Sequence, residues 1–321
     1  MVKSKGIDFH LTYISFPNYF FIKLWIAILK LLSIFCYFLF KIIIMTHIDF
    51  QPIVKWTGTK RLQSNEIIKY FPNYIDTYFE PFCGSCSVLF RLLHESSIHV
   101  NNFVCSDING DLIDLWKAIK QNPDHLFKVY TKLWCEMNKM IDKQDKRVFY
   151  ELVRQEFNQI RDPNLFFFLM RTCTNGQPRY NKWCEFNQSL HLTRDGITPV
   201  RLKKVLYQWS EILNDNNVEF IKCDYKDIFE KASNEDFLYL DPPFQNERST
   251  KYFCKFNYED FFDRVGVLND NRIKYILSSD GKYVPDYCYE NIIYLKGGGG
   301  SYQKTVEHLP TGHMYETIYL N

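Results

Sequence analysis

Short apolar runs along the chain are separated by longer stretches that carry a helical repeat. Phe237-Leu238-Tyr239-Leu240 is a continuous apolar run between polar neighbours, the pattern of a short buried strand. Tyr74–Phe79, Phe103–Cys105, Val218–Asp224, Ile273–Leu277 and Tyr315–Leu320 read as further strands. Leu62–Phe71 has apolar residues at Leu62, Ile67, Ile68 and Phe71, which include helical spacings, and Ser85–Leu93 and about Arg201–Leu213 also read as helices. The strand Phe237–Leu240 runs straight into Asp241-Pro242-Pro243-Phe244. Each proline fixes its own φ and restricts the residue before it. The result is a stiff turn at the carboxyl end of a strand, where open α/β sheets place their ligands. An acid opens this turn and an aromatic ring closes it. The carboxylate and a nearby backbone carbonyl suit the two hydrogens of an exocyclic NH2, and the ring suits the face of a planar base. Accepting both hydrogens aims the nitrogen lone pair at an electrophile. Taken alone, the four residues are better explained as a plain loop after a strand.

Two upstream stretches change that balance. Gly84, in Phe82-Cys83-Gly84-Ser85-Cys86, permits a close turn after a strand, and backbone N–H groups at the start of the next helix can approach a ligand there. About twenty residues later Asp107 follows the strand Phe103–Cys105, where a carboxylate can accept hydrogen bonds from both hydroxyls of a ribose. Lys55-Trp56-Thr57-Gly58-Thr59-Lys60-Arg61 is a glycine turn before a helix, and a lysine at such a junction can pair with a carboxylate.

Composition narrows the class. A chain of 321 residues, 46% of them hydrophobic, suffices for one large domain or a domain with an insertion. The ten cysteines lack the paired spacing of a disulfide framework, so reduced intracellular thiols are expected. The one CxxC, Cys83–Cys86, lies in the glycine turn, and without a second CxxC or an HxxxH no metal site is expected. Net charge is only +2, yet residues 119–205 carry 16 Lys and Arg against 9 Asp and Glu. A cationic middle region in an otherwise acidic chain fits phosphate binding, and solvated helix faces are the plainer alternative. Residues 1–45 stand apart. Leu24–Phe40 is apolar except for Lys30 and Ser33, borderline for a membrane span, and no small-residue cleavage site marks a signal peptide. Three readings stay open: translation starting at Met45, a membrane anchor, or an extra buried helix.

Taken in order, these stretches resemble the Dam-type family of DNA adenine-N6 methyltransferases from about Ile53 to the C-terminus. Asp241–Phe244 resembles that family's DPPY motif, Phe82–Cys86 its FxGxG and Lys55–Lys60 its KWxGGK. Ser106–Leu112 resembles its DINxDL. Arg171–Asn181, followed by Glu185-Phe186-Asn187, resembles its NGxxRxN and EFN. The resemblance implies a Rossmann-like α/β methyltransferase domain over residues 46–118 and 206–321, with a mainly helical target-recognition insertion at 119–205. It implies S-adenosylmethionine as cofactor, held by Trp56, Lys60, Phe82, Gly84, Asp107 and Asp224. An N-cap is the alternative for Asp224. In the implied reaction a flipped adenine stacks on Phe244, while Asp241 and the Pro242 carbonyl take its amino hydrogens and Pro243 stiffens the turn. Arg171, Asn175, Gly176, Arg179, Tyr180 and Asn181 would face DNA. There an arginine can read guanine and a tyrosine can wedge at a disturbed pair, and a structural role for Asn181 is the alternative. The implied partners are double-stranded DNA and a cognate restriction enzyme, with the membrane only if residues 1–45 are translated. The implied protein is an intracellular monomer or weak dimer. Three residues depart from the family pattern: Thr59 and Cys86 stand for glycines and Phe244 for tyrosine. Cys86 and Thr59 keep a catalytically impaired DNA-binding homologue in view. Asp241 argues against a cytosine-N4 enzyme, whose class more often has serine there.

Overall fold

The computed structural model describes residues 28–30, 32, 51–243, 256–279, 284–289, 291–296 and 315–320. The chain divides into two units, Met1–Phe50 and Gln51–Asn321. In the first, the described residues are helical. No helix among the described residues is long and apolar enough to cross a membrane, and most of Leu24–Phe40 lies outside them.

The second unit holds a seven-stranded sheet. Its strands are β1 (Tyr74–Glu80), β2 (His99–Asp107), β3 (Glu219–Lys222), β4 (Phe237–Leu240), β5 (Lys274–Ser279), β6 (Asn291–Lys296) and β7 (Tyr315–Leu320), in the order β3-β2-β1-β4-β5-β7-β6. β1 to β5 pair in parallel, while β7 runs antiparallel to both β5 and β6. The chain winds outward from β1 through β2 to β3, then returns to place β4 on the other side of β1. The strand order reverses at this point, which is where open parallel sheets bind ligands beyond the strand ends.

β4 is buried at all four positions because β1 and β5 flank it and both sheet faces are covered, which explains its unbroken apolar run. β2 starts at His99, four residues before the strand expected at Phe103. Its first half is polar and largely exposed (His99, Asn101, Asn102), so no apolar pattern marked it. β6 carried no sequence expectation.

Short helix α1 (Ser64–Ile67) continues into a 3-10 turn and covers part of the expected 62–71 helix. α2 (Ser87–Leu92) follows β1, and α3 (Gly110–Gln121) follows β2. Then come α4 (Pro123–Lys139), α5 (Lys143–Ile160), α6 (Pro163–Thr172), α7 (Pro199–Asp215), α8 (Tyr225–Phe229) and α9 (Tyr258–Asp270). Trp116 of α3 and Trp209 of α7 meet with ring centroids 5.0 Å apart, and Trp116 lies nearly parallel to Phe220 of β3. The Trp116 indole N–H donates to the Gly84 carbonyl at 2.9 Å, so the core itself pins the glycine turn. Between α6 and α7 the chain forms a hairpin, bridged at Cys173–Leu190 and Tyr180–Phe186. Phe186 packs edge-on against Phe157 and Phe166 and anchors this hairpin to α5 and α6.

Candidate active site

Three neighbouring parallel strands end on acids. Asp107 closes β2, Glu80 closes β1, and Asp241 follows β4 by one residue. Burial raises the pKa of each. Asp107 is pushed up to about 6, against backbone amides that favour its charged form, including Asn109 N–H at 2.9 Å. Glu80 is pushed up to about 8, and its Oε2 accepts from the Tyr78 hydroxyl at 2.7 Å and from Leu89 N–H at 3.1 Å. At neutral pH Glu80 is therefore mainly the uncharged acid. Asp241 is raised by burial and pulled back by Lys60.

The Lys60–Asp241 pair is the centre of the site. Lys60 Nζ donates to both carboxylate oxygens of Asp241, at 2.6 and 2.8 Å, and to the Gly58 carbonyl at 3.1 Å. Lys60 is only 3% exposed, so the ammonium and its carboxylate face each other with little intervening water. Beside them Pro242 is buried. The Tyr258 hydroxyl, at the start of α9, donates to the Pro243 carbonyl at 2.8 Å and holds the turn from outside. Phe244 lies outside the described residues.

The glycine turn lies between β1 and α2. Gly84 has φ +44°, and a Cβ there would come within 2.8 Å of the Trp56 ring, so Trp56 and Gly84 are brought together. Cys86 precedes α2 in the left-handed region, at φ 51°. That is the conformation glycine adopts most readily, which gives the departure at Cys86 a cost of about 1–2 kcal/mol. Its side chain is fully buried, near Cys83 and Cys105 of β2, and burial pushes its pKa well up. The thiol is thus part of the core. Thr59 also finds a place: its hydroxyl bonds Ser87 at 2.7 Å and Ser85 at 3.0 Å, tying the lysine turn to α2.

Phe82 forms an aromatic wall with Tyr225 at 5.5 Å and Phe256 at 5.9 Å between centroids. Asp224 caps α8. Its side chain accepts from Lys226 N–H at 3.1 Å, and Asp227 accepts from the Asp224 N–H in return, so the N-cap alternative is the arrangement seen.

The hairpin divides the six expected DNA-facing residues. Arg179 and Asn175 are exposed, and Gly176 packs on Lys55 at a distance that leaves no room for a Cβ. Asn181 holds the hairpin tip, its Oδ1 accepting from Trp183 N–H at 2.9 Å and Glu185 N–H at 3.0 Å. The other two expectations need correction. Arg171 is 8% exposed, and its guanidinium donates to the carbonyls of Pro52 and Ile53, because α6 is buried on every side. Tyr180 turns inward: its hydroxyl donates to Asp111 at 2.8 Å and accepts from Asn109 at 3.4 Å, so it is no wedge. Sequence reasoning missed Glu80, Tyr258 and Lys55 as site residues. A carboxylate closing the central buried strand was the available signal for Glu80. Tyr258 carried none.

A mainly parallel α/β sheet with acids and a glycine turn gathered at its switch point is the frame on which nucleoside-binding enzymes place their ligands. The family model for D12 class N6 adenine-specific DNA methyltransferases matches residues 56–287, and the chain belongs to that family. Among similar proteins, the type II methyltransferase M.MjaIII of Methanocaldococcus jannaschii is 31% identical over 229 residues, covering 67% of this chain and 76% of that protein. The DNA adenine methylase of Serratia marcescens is 30% identical over 215 residues, covering 66% and 73%. The type II methyltransferase M.CviBI of Paramecium bursaria Chlorella virus NC1A is 27% identical over 220 residues, covering 65% and 75%. The protein is an adenine-specific DNA methyltransferase.

Proposed function

We propose that the protein binds S-adenosylmethionine at the ends of β1 and β2 and methylates N6 of an adenine rotated out of duplex DNA into the Asp241 site. The observation that carries this reading is the Lys60 ammonium on both oxygens of Asp241. A nitrogen bearing several hydrogens already satisfies that carboxylate, and an adenine amino group takes the same place when Lys60 swings away. Buried in a stack, that amino group is out of reach, so the base must leave the duplex first.

The residues at the neighbouring strand ends fit a nucleoside cofactor. Asp107 offers a carboxylate to ribose hydroxyls, and Gly84, with no Cβ, lets the turn pack directly on the Trp56 ring beside it. Phe82 offers a half-buried ring, and Asp224 lies two residues beyond β3, at the cap of α8. When bound, S-adenosylmethionine supplies an electrophilic methyl group on a sulfonium. The protein's own residues do the rest. Asp241 and the Pro242 carbonyl accept the amino hydrogens and stabilise positive charge as it develops on N6, and one of those hydrogens leaves as a proton to solvent once N6 carries the methyl group. Tyr258 keeps the turn in register, and Phe244 stacks on the base. Once it leaves Asp241, Lys60 can pair with a cofactor carboxylate. Most of the acceleration comes from positioning and from acceptors fixed in advance. The inward thiol of Cys86 supports an active enzyme over an impaired DNA-binding homologue. Of the exposed hairpin residues, Arg179 and Asn175 are proposed to face DNA, with Lys55 beside them.

Calorimetric titration of S-adenosylmethionine into wild type and Asp107→Ala tests the cofactor assignment. The variant should bind at least tenfold more weakly while its affinity for DNA is unchanged. Equal cofactor affinity would remove Asp107 from that site.

A further inference from the structure

Asp260, in the first turn of α9, receives three side chains at once. The Tyr225 hydroxyl donates to its Oδ2 at 2.9 Å, Lys226 Nζ pairs with the same oxygen at 2.8 Å, and Arg264 Nε donates to Oδ1 at 3.2 Å. Lys226 first, and Tyr225 after it, hold the Asp260 carboxyl down at about 2, so it is ionised at neutral pH. Tyr225 and Lys226 open α8, directly after Asp224. Asp260 is two residues beyond Tyr258, whose hydroxyl donates to the Pro243 carbonyl. The first turn of α9 therefore reaches two ways, to the Asp241–Pro243 turn through Tyr258 and to α8 through Asp260. Between them the Tyr225 ring lies 5.5 Å from Phe82 and 5.3 Å from Phe261.

Folding stability does not account for this convergence. The Asp260 side chain is 30% exposed and that of Lys226 37%. Ion pairs this open to water contribute little to stability. Buried Phe261 and Val265 already seat α9 in the core. Apolar packing resists separation of the two helices but is not directional, whereas hydrogen bonds from two residues of α8 to one carboxylate fix how α9 is turned. We propose that Asp260 is a positioning residue for methyl transfer: it clamps α9 to α8 and so fixes the Asp241–Pro243 turn relative to the strand ends that hold the methyl donor. This rests on the reading of the protein as an S-adenosylmethionine-dependent adenine methyltransferase. Asp260 touches neither substrate. It acts through Tyr258 on the acceptor side and through Tyr225 and Phe82 on the donor side. In-line transfer needs the amino nitrogen and the methyl carbon in near contact, and a small misplacement slows the reaction without weakening binding.

The test uses the full-length protein and its D260A, D260N, Y258F and D260A/Y258F variants, with S-adenosylmethionine and unmethylated genomic DNA as substrates. D260A should melt within a few degrees of wild type and lose kcat roughly tenfold, with KM for each substrate within about threefold. D260N keeps an oxygen for the Tyr225 hydroxyl and should fall between the two; it serves the same comparisons should D260A fail to fold. Asp260 and Tyr258 act on one strut, so the double variant should be only about twofold slower than D260A, where independent losses of about five- and tenfold would multiply to roughly fiftyfold. Wild-type kcat in D260A, a loss confined to KM, or multiplied losses in the double variant would overturn the proposal. Amide hydrogen exchange reads the clamp without turnover. D260A should exchange faster over both 225–230 and 258–264, and unchanged exchange in either segment would also overturn it. If wild type makes no N6-methyladenine, the methyltransferase reading fails instead, and exchange alone decides whether Asp260 holds α9 to α8.

Discussion

Replacing Lys60 by methionine isolates the pair at the centre of the site. The side chains are of similar length, so the change removes charge and three donors while filling the same space. Lys60 is 4% and Asp241 19% exposed at the side chain. Removing one partner of a buried pair costs about 3–5 kcal/mol when the other stays charged. Asp241 retains some solvent and can escape by taking up a proton, which places the expected loss near about 3 kcal/mol at pH 8. The escape gives the effect a sign in pH. Burial raises Asp241 and Lys60 opposes that rise, so Lys60→Met pushes the folded-state value still higher above the ordinary carboxylate range. A group with a raised folded pKa stabilises the protein fully below its unfolded value and loses that contribution as pH rises through the folded value. The variant should therefore lie close to wild type near pH 4. It should fall behind by up to about 1.4 kcal/mol per pH unit until Asp241 ionises in the variant. Urea unfolding of both proteins from pH 4 to 8 reads this directly. Adding Asp241→Asn to Lys60→Met should recover most of the loss. A deficit that does not change with pH, or a double variant that is the sum of the singles, would refute the coupling.

Glu80→Gln keeps the shape of a mainly neutral acid and should leave methylation at pH 7 within about twofold of wild type. Because Glu80 titrates near 8 when folded, wild type should lose stability between about pH 4.5 and 8, and the variant should lose less over that window in the same urea series. Tyr258→Phe removes the donor to the Pro243 carbonyl, worth about 1 kcal/mol. Steady-state kinetics should show kcat down about fivefold, with KM for DNA little changed, the pattern of a loosened catalytic turn. Cys86→Gly relieves a left-handed backbone at about 1–2 kcal/mol and gives up a buried thiol. Thermal melting should shift by only a few degrees, and a calorimetric titration should find cofactor affinity unchanged.

The parts of the site built from local chain rules were legible. Phe237–Leu240 reads as a strand because a strand buried on both faces has no polar side to interrupt it. The two prolines that follow cannot continue it, and Gly84 and Asp107 fall where a close turn and a strand end require them. What escaped depends on packing between distant segments. Arg171 sits in a string that resembles a DNA-reading motif, yet its helix is enclosed and its partners are backbone carbonyls more than a hundred residues upstream. Tyr180 and Trp183 are three residues apart in one hairpin, and only its fold shows which ring turns inward. Cys86 reads only as a departure from a glycine, and the fold alone shows its thiol buried in the core on a left-handed backbone. The polar start of β2 was invisible for the opposite reason: half of that strand covers no core.

The most direct test of the central claim is a single transfer experiment. The full chain is mixed with S-adenosylmethionine labelled in its methyl group and with unmethylated genomic DNA, and the DNA is then digested to nucleosides. Label is expected in N6-methyladenine alone, present with wild type and absent with Asp241→Ala. Label in a cytosine derivative, or label that survives Asp241→Ala, would contradict the account.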